Sequence, residues 1–149
     1  MNVLRPVAAA ALAGLAVVTT GQGPAAAAVQ FAPDTIPKLC AFATIIDPDC
    51  NEFAQGTINW GNRTATITIK VGDKSSGGTT RVFFDAFAGS TKVDSDVRSA
   101  GGVTVTHTPF VIGDPNRPGG INRIRTQVCY FNASNQRVSC STQWNDIRD

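Results

Sequence analysis

Between Arg63 and Val71 the chain alternates with a period of two. Ala65, Ile67, Ile69 and Val71 fall on one side, and Thr64, Thr66, Thr68 and Lys70 on the other. A helix would scatter those apolar residues around its axis, whereas a strand gathers them on one face. Most of them are β-branched, which stiffens χ1 and suits a pleated, half-buried surface. The rhythm returns at Arg81–Ala88, where Val82, Phe84, Ala86 and Ala88 oppose Arg81, Phe83, Asp85 and Phe87. Two phenylalanines on that second face imply that it is partly covered as well. Val103–Phe110 repeats the pattern, with Val103, Val105 and His107 opposite Thr104, Thr106 and Thr108.

Glycine punctuates these runs. Gly61-Asn62 precedes the first strand, residues 72–78 (GDKSSGG) read as a turn or hairpin loop, and Ile112–Gly120, with two prolines and three glycines, must be a loop. No segment carries a strong helical period. Residues 38–55 have room for one turn, and Thr91–Ser99 fits neither template. Strands at intervals of roughly 8–12 residues between glycine-rich turns predict an all-β fold, an antiparallel β-sandwich with immunoglobulin-like architecture. The cysteines lack immunoglobulin spacing, so that likeness is one of architecture alone.

Cys40, Cys50, Cys129 and Cys140 permit three pairings. Along the last strand Ile124, Val128 and Tyr130 face one way, and Arg123, Arg125 and Gln127 the other. A two-residue turn at Ser134-Asn135 would set Cys129 directly opposite Cys140, within disulfide reach. Cys40 and Cys50 would then close the loop around Asp47-Pro48-Asp49. The same register suggests one face shared by Arg123, Arg125 and Arg137, which reads as solvated or as a partner surface.

Ahead of this domain stands a segment with the marks of an export signal. Arg5 supplies the positive end, residues 6–20 form an apolar run too short to span a bilayer, and Ala26-Ala27-Ala28 offers small side chains for cleavage. Residues 1–28 are therefore expected to be a signal peptide, and the protein to be secreted, which suits disulfides. The alanine- and glycine-rich signal has a high-GC Gram-positive bacterial character. Removing Arg5 from the 13 basic residues leaves 12 against 11 acidic ones, a formal charge of +1. Near neutrality, with no basic run and no second apolar stretch, argues against nucleic-acid and membrane partners. Residues 29–39 carry Pro33 and Pro37 without helical period and read as an extended amino-terminal arm or edge strand. Residues 40–149 form the expected sandwich domain.

Chemistry-bearing motifs are sparse. His107 is the single histidine, too few for a multi-histidine metal site, and its place in an alternating strand reads as structural. No nucleophile elbow positions a serine. Asp47/Asp49 and Asp94/Asp96 lack the remaining ligands and the glycine of a calcium loop and read as turn caps. No catalytic residue, no metal and no cofactor is expected. Trp60, Trp144 and Tyr130 are assigned to the core or its rim, with an exposed contact aromatic for carbohydrate or protein as the alternative for Trp60.

The run Asn59-Trp60-Gly61-Asn62-Arg63-Thr64-Ala65-Thr66-Ile67, the Gly-Gly loop, the run Gly120-Ile121-Asn122-Arg123-Ile124-Arg125-Thr126-Gln127-Val128-Cys129 and the ending Cys140…Trp144-Asn145-Asp146 resemble small secreted actinobacterial β-sandwich proteins. Among these are the spacer subunits of umbrella toxin particles. The resemblance spans roughly the last 95 residues. It implies a non-catalytic adaptor that links a large toxin subunit to lectin-like subunits, with an amino-terminal segment docking into a cleft of the lectin. Residues 29–39 match that segment in position and apolar character, and Phe31, Ile36 and Leu39 are the expected partner-binding anchors. Two rival readings remain open. One is a secreted protease inhibitor that presents the Cys40–Cys50 loop. The other is a small ligand-binding β-sandwich or enzyme with an enclosed pocket.

Overall fold

Residues 31–42 and 50–149 are described by the structure, a computed structural model; the expected signal peptide and its cleavage point lie outside them. Ten strands and no helix make up the described residues: β1 (Asp34–Cys40), β2 (Phe53–Trp60), β3 (Ala65–Gly72), β4 (Gly78–Ala88), β5 (Thr91–Ala100), β6 (Thr104–Thr106), β7 (Phe110–Ile112), β8 (Arg123–Asn132), β9 (Arg137–Cys140) and β10 (Trp144–Ile147). They form two antiparallel sheets. The first has the order β1-β2-β3, with β6 and β7 both on the far side of β3; the second runs β10-β8-β4-β5, with β9 also on β8. This is the expected β-sandwich. The meander β1-β2-β3 within one sheet differs from immunoglobulin connectivity, so the likeness stops at two stacked layers.

The period-two residues build the core as anticipated. In the first sheet Ala54 pairs with Val71, Ile58 with Ile67, and Trp60 with Ala65. In the second, Val82 pairs with Val128 and Ala86 with Ile124, while Phe84 lies opposite Thr126. These side chains meet in one buried cluster between the layers. Fully burying aliphatic or aromatic side chains of this kind contributes about 1.5–3 kcal/mol each before ordering costs.

Three local expectations change. Residues 72–78 do not join a hairpin, because β3 and β4 belong to different sheets. Asp73 organises that corner: its buried carboxylate accepts from the Ser75 amide and hydroxyl and from the Thr80 amide. The stretch Val103–Phe110 is split into β6 and β7, since Pro109 has no N–H for the ladder. Thr91–Ser99, which fitted no template, lies within the long strand β5.

The terminal hairpin also departs from its predicted turn. Its loop is Ala133-Ser134-Asn135, three residues long, with Asn135 at φ 60°, a position asparagine tolerates. Phe131 therefore pairs with Arg137, and a bulge at Val138 restores the register so that Tyr130 meets Ser139 and Cys129 meets Cys140. The two irregularities cancel at the cysteines. Cys129–Cys140 is bonded at a Cα separation of 4.0 Å, and Cys40–Cys50 at 6.0 Å. On a chain-entropy view, closing loops of this size adds about 2–3 kcal/mol each.

Candidate functional site

From Asp34 onward the proposed arm is part of the sandwich. Asp34 to Cys40 pair with β2 as an edge strand, so the domain starts at Asp34 rather than at residue 40. Ile36 and Leu39 are 1% and 4% exposed and sit in the protein's own core. This corrects their assignment as partner anchors, because a side chain committed to the intramolecular core has no surface left to offer. The pattern misled because Pro37 suggests an exposed arm, whereas a bulge between Ile36 and Leu39 accommodates it at the sheet edge. Phe31 precedes the strand and is half-buried, its ring capped by the Arg148 guanidinium at 4.6 Å.

The isolated chemical candidates lie apart from one another, and the His107 Nε2 is buried without a hydrogen-bond partner among the described residues. His107 is half-buried beside β6, and its amide donates to the Ile69 carbonyl. Asp94 accepts from the Ser95 and Gly113 amides, and Asp96 pairs with Arg98. Asp47 and Asp49 lie outside the described residues. Among the described residues no cluster of three or more histidine, cysteine, aspartate or glutamate side chains could hold a metal ion. No helix there is long and apolar enough to cross a membrane. A shallow groove of about 460 Å³ crosses the outer face of the first sheet, lined by Thr35, Thr57, Thr68, Thr106, Lys38 and Lys70 among others.

The two tryptophans differ. Trp60 is buried and its Nε1 donates to Asp34 Oδ2 at 2.6 Å. Trp144, expected in the core or at its rim, lies 36% exposed on edge strand β10, and its Nε1 donates to Asp146 Oδ1 at 2.9 Å. Asp146 is buried, and its Oδ2 has no hydrogen-bond partner among the described residues. Burial pushes its pKa up to about 6; the Trp144 hydrogen bond works against that rise and the charge on Asp34 adds to it.

The densest functional chemistry lies on the outer face of the second sheet. Alternation turns Arg81, Phe83, Asp85 and Phe87 of β4 outward, together with Arg123, Arg125, Gln127 and Phe131 of β8. Arg123 and Arg125 lie over the Phe87 ring at 4.1 and 5.1 Å, and Arg81 lies over Phe131 at 4.3 Å. Phe83 and Phe131 are 6.2 Å apart. Asp85 accepts from Arg125 at 2.6 Å and from Lys92 at 3.2 Å. Partial burial would raise its pKa, but those two hydrogen-bonded cations hold it below the usual carboxylate value. Arg137, opposite Phe131, joins the face. The grouping of Arg123, Arg125 and Arg137 expected from sequence is therefore present, through the Val138 bulge rather than through the expected turn. What sequence reasoning missed was the contribution of β4 and β5; the outward Phe83 and Phe87 were its visible trace.

Searches against protein-family models, curated proteins and solved structures find no significant match for the chain.

Proposed function

We propose that this protein is a secreted, non-catalytic binding module that works by contact with other exported proteins. The observation that carries this reading is the outer face of the second sheet, where arginines and phenylalanines interleave on a rigid scaffold. Arginine and aromatic side chains are enriched at protein interfaces, and lysine is depleted there. The face holds four arginines and one lysine, Arg81, Arg123, Arg125, Arg137 and Lys92. Two disulfides suit an oxidising compartment, and the export signal read from residues 1–28 would deliver the chain there.

The resemblance to umbrella-particle spacer subunits supports an adaptor joining a large toxin subunit to lectin-like subunits. With Ile36 and Leu39 committed to the core, the docking segment of that arrangement would have to lie ahead of Asp34 and include Phe31.

Pull-down with the tagged mature chain from culture supernatant, followed by light scattering of the eluted species, tests the reading. A stoichiometric complex with another secreted protein is the expected result. Elution as a lone chain under every condition would overturn it.

A further inference from the structure

On the outer face of the second sheet, among the described residues, five cations, Arg81, Lys92, Arg123, Arg125 and Arg137, share the surface with a single carboxylate, Asp85. The exported chain as a whole carries a formal charge of only about +1, so this face concentrates positive charge that the composition conceals. Asp85 is already engaged by Lys92 and Arg125. Arg81, Arg123 and Arg137 have no carboxylate partner among the described residues.

Two of those three guanidiniums sit over phenylalanine rings, Arg81 over Phe131 and Arg123 over Phe87, and Arg81 also donates to Asn135 Oδ1. A ring beneath a guanidinium restricts its motion, and a guanidinium with N–H groups to spare can receive a carboxylate in bidentate fashion. Much of the ordering cost of binding is thus met before a partner arrives. Around the cations stand apolar side chains that water does not favour: Val97 is 45% exposed and Ile147 59%. Both lie at the margins of the same face, Val97 opposite Phe83 and Ile147 opposite Arg123.

We infer that this face docks an acidic protein segment that presents carboxylates to Arg81, Arg123 and Arg137 and apolar side chains to Val97, Phe83 and Phe131. The inference rests on the binding-module reading and adds the surface and the partner's chemistry. A phosphate or sulfate polymer fits less well. It would meet Asp85 at the centre of the face and leave Val97 and Ile147 in water, whereas a segment alternating acidic and apolar residues matches both features.

The test titrates the isotopically labelled mature protein with a short peptide of alternating glutamate and leucine, read by amide chemical shifts, with heparin as a polyanion control. Shifts concentrated at Arg81, Phe83, Arg123 and Phe131 are expected. A variant carrying Arg123→Glu and Arg137→Glu should lose about tenfold or more in affinity at low salt. Arg81→Ser provides a second variant should that pair disturb folding. Shifts confined to the groove around Thr57 and Lys70, no shifts at all, or heparin binding the same face as tightly as the peptide would each overturn the inference. Pull-down separates the two levels. If the charge-reversed protein still recovers the partner of the unaltered chain, the face is wrong while the module stands. If the unaltered chain recovers none, the module reading fails and the titration still decides the face.

Discussion

Asp146 is the residue whose environment departs furthest from the ordinary. One oxygen accepts from the Trp144 indole, the other is buried without a partner among the described residues, and the Asp34 carboxylate adds repulsion. The folded carboxyl holds its proton up to about pH 6, against an ordinary value of 3.8. Stability should accordingly fall as pH rises between those values and remain lower above them. Asp146→Asn keeps an oxygen for the indole and carries no charge. At pH 8 it should be more stable than the unaltered protein by about 1–3 kcal/mol, with the gain vanishing below about pH 4. Chemical denaturation across that range is the check, and equal stability at every pH would contradict it. Asp85 has the opposite sign: its carboxylate is favoured by Arg125 and Lys92, so its contribution is lost only as pH drops through and below the usual carboxylate range. None of this was legible in the sequence. Asp34 and Asp146 sit near opposite ends of the described chain, and only the stacking of two sheets brings them together.

At the level of single strands, alternation was a reliable guide wherever one face is buried. Ala65, Ile67, Ile69 and Val71 point inward as their pattern demands. The disulfide pairing was also readable, because the register of an antiparallel hairpin places Cys129 against Cys140. Bulges were not readable, since an extra residue at Val138 leaves no compositional mark. The first strand was the costliest misreading. Pro33 and Pro37 suggested an arm, while Ile36 and Leu39, half hidden in a short segment, were the actual signal. Deleting residues 29–39 removes both from the core, each loss worth about 2–5 kcal/mol. A domain of this size has of the order of 5–15 kcal/mol in total, so the truncated protein should lose its cooperative thermal transition. Retention of a melting temperature close to that of the intact chain would show that β1 is dispensable.

Across the whole molecule, each sheet ends on one side in two short collinear strands, β6 with β7 and β9 with β10. Each pair borders a long strand, and each break falls where the ladder is interrupted, in the first sheet by Pro109. Short, broken borders of this kind offer little template for another chain to extend the sheet. Of the two remaining borders, β1 is interrupted by Pro37 and the bulge beside it, and β5 carries Lys92, Asp94, Asp96 and Arg98, charges that serve the same end. The proposed binding role is therefore one for faces and loops rather than sheet borders.

Arg148 reaches across the seam, its guanidinium over Phe31 and its donors on the carbonyls of Gly61, Asn62 and Gly119. The beginning and end of the described chain are thereby neighbours. A short linker from Arg148 back to Phe31, with new ends cut between Ala133 and Asn135, should yield a circular permutant with both disulfides and a native-like circular dichroism spectrum. Cargo joined directly ahead of Phe31 or after Arg148 would hang from one shared corner.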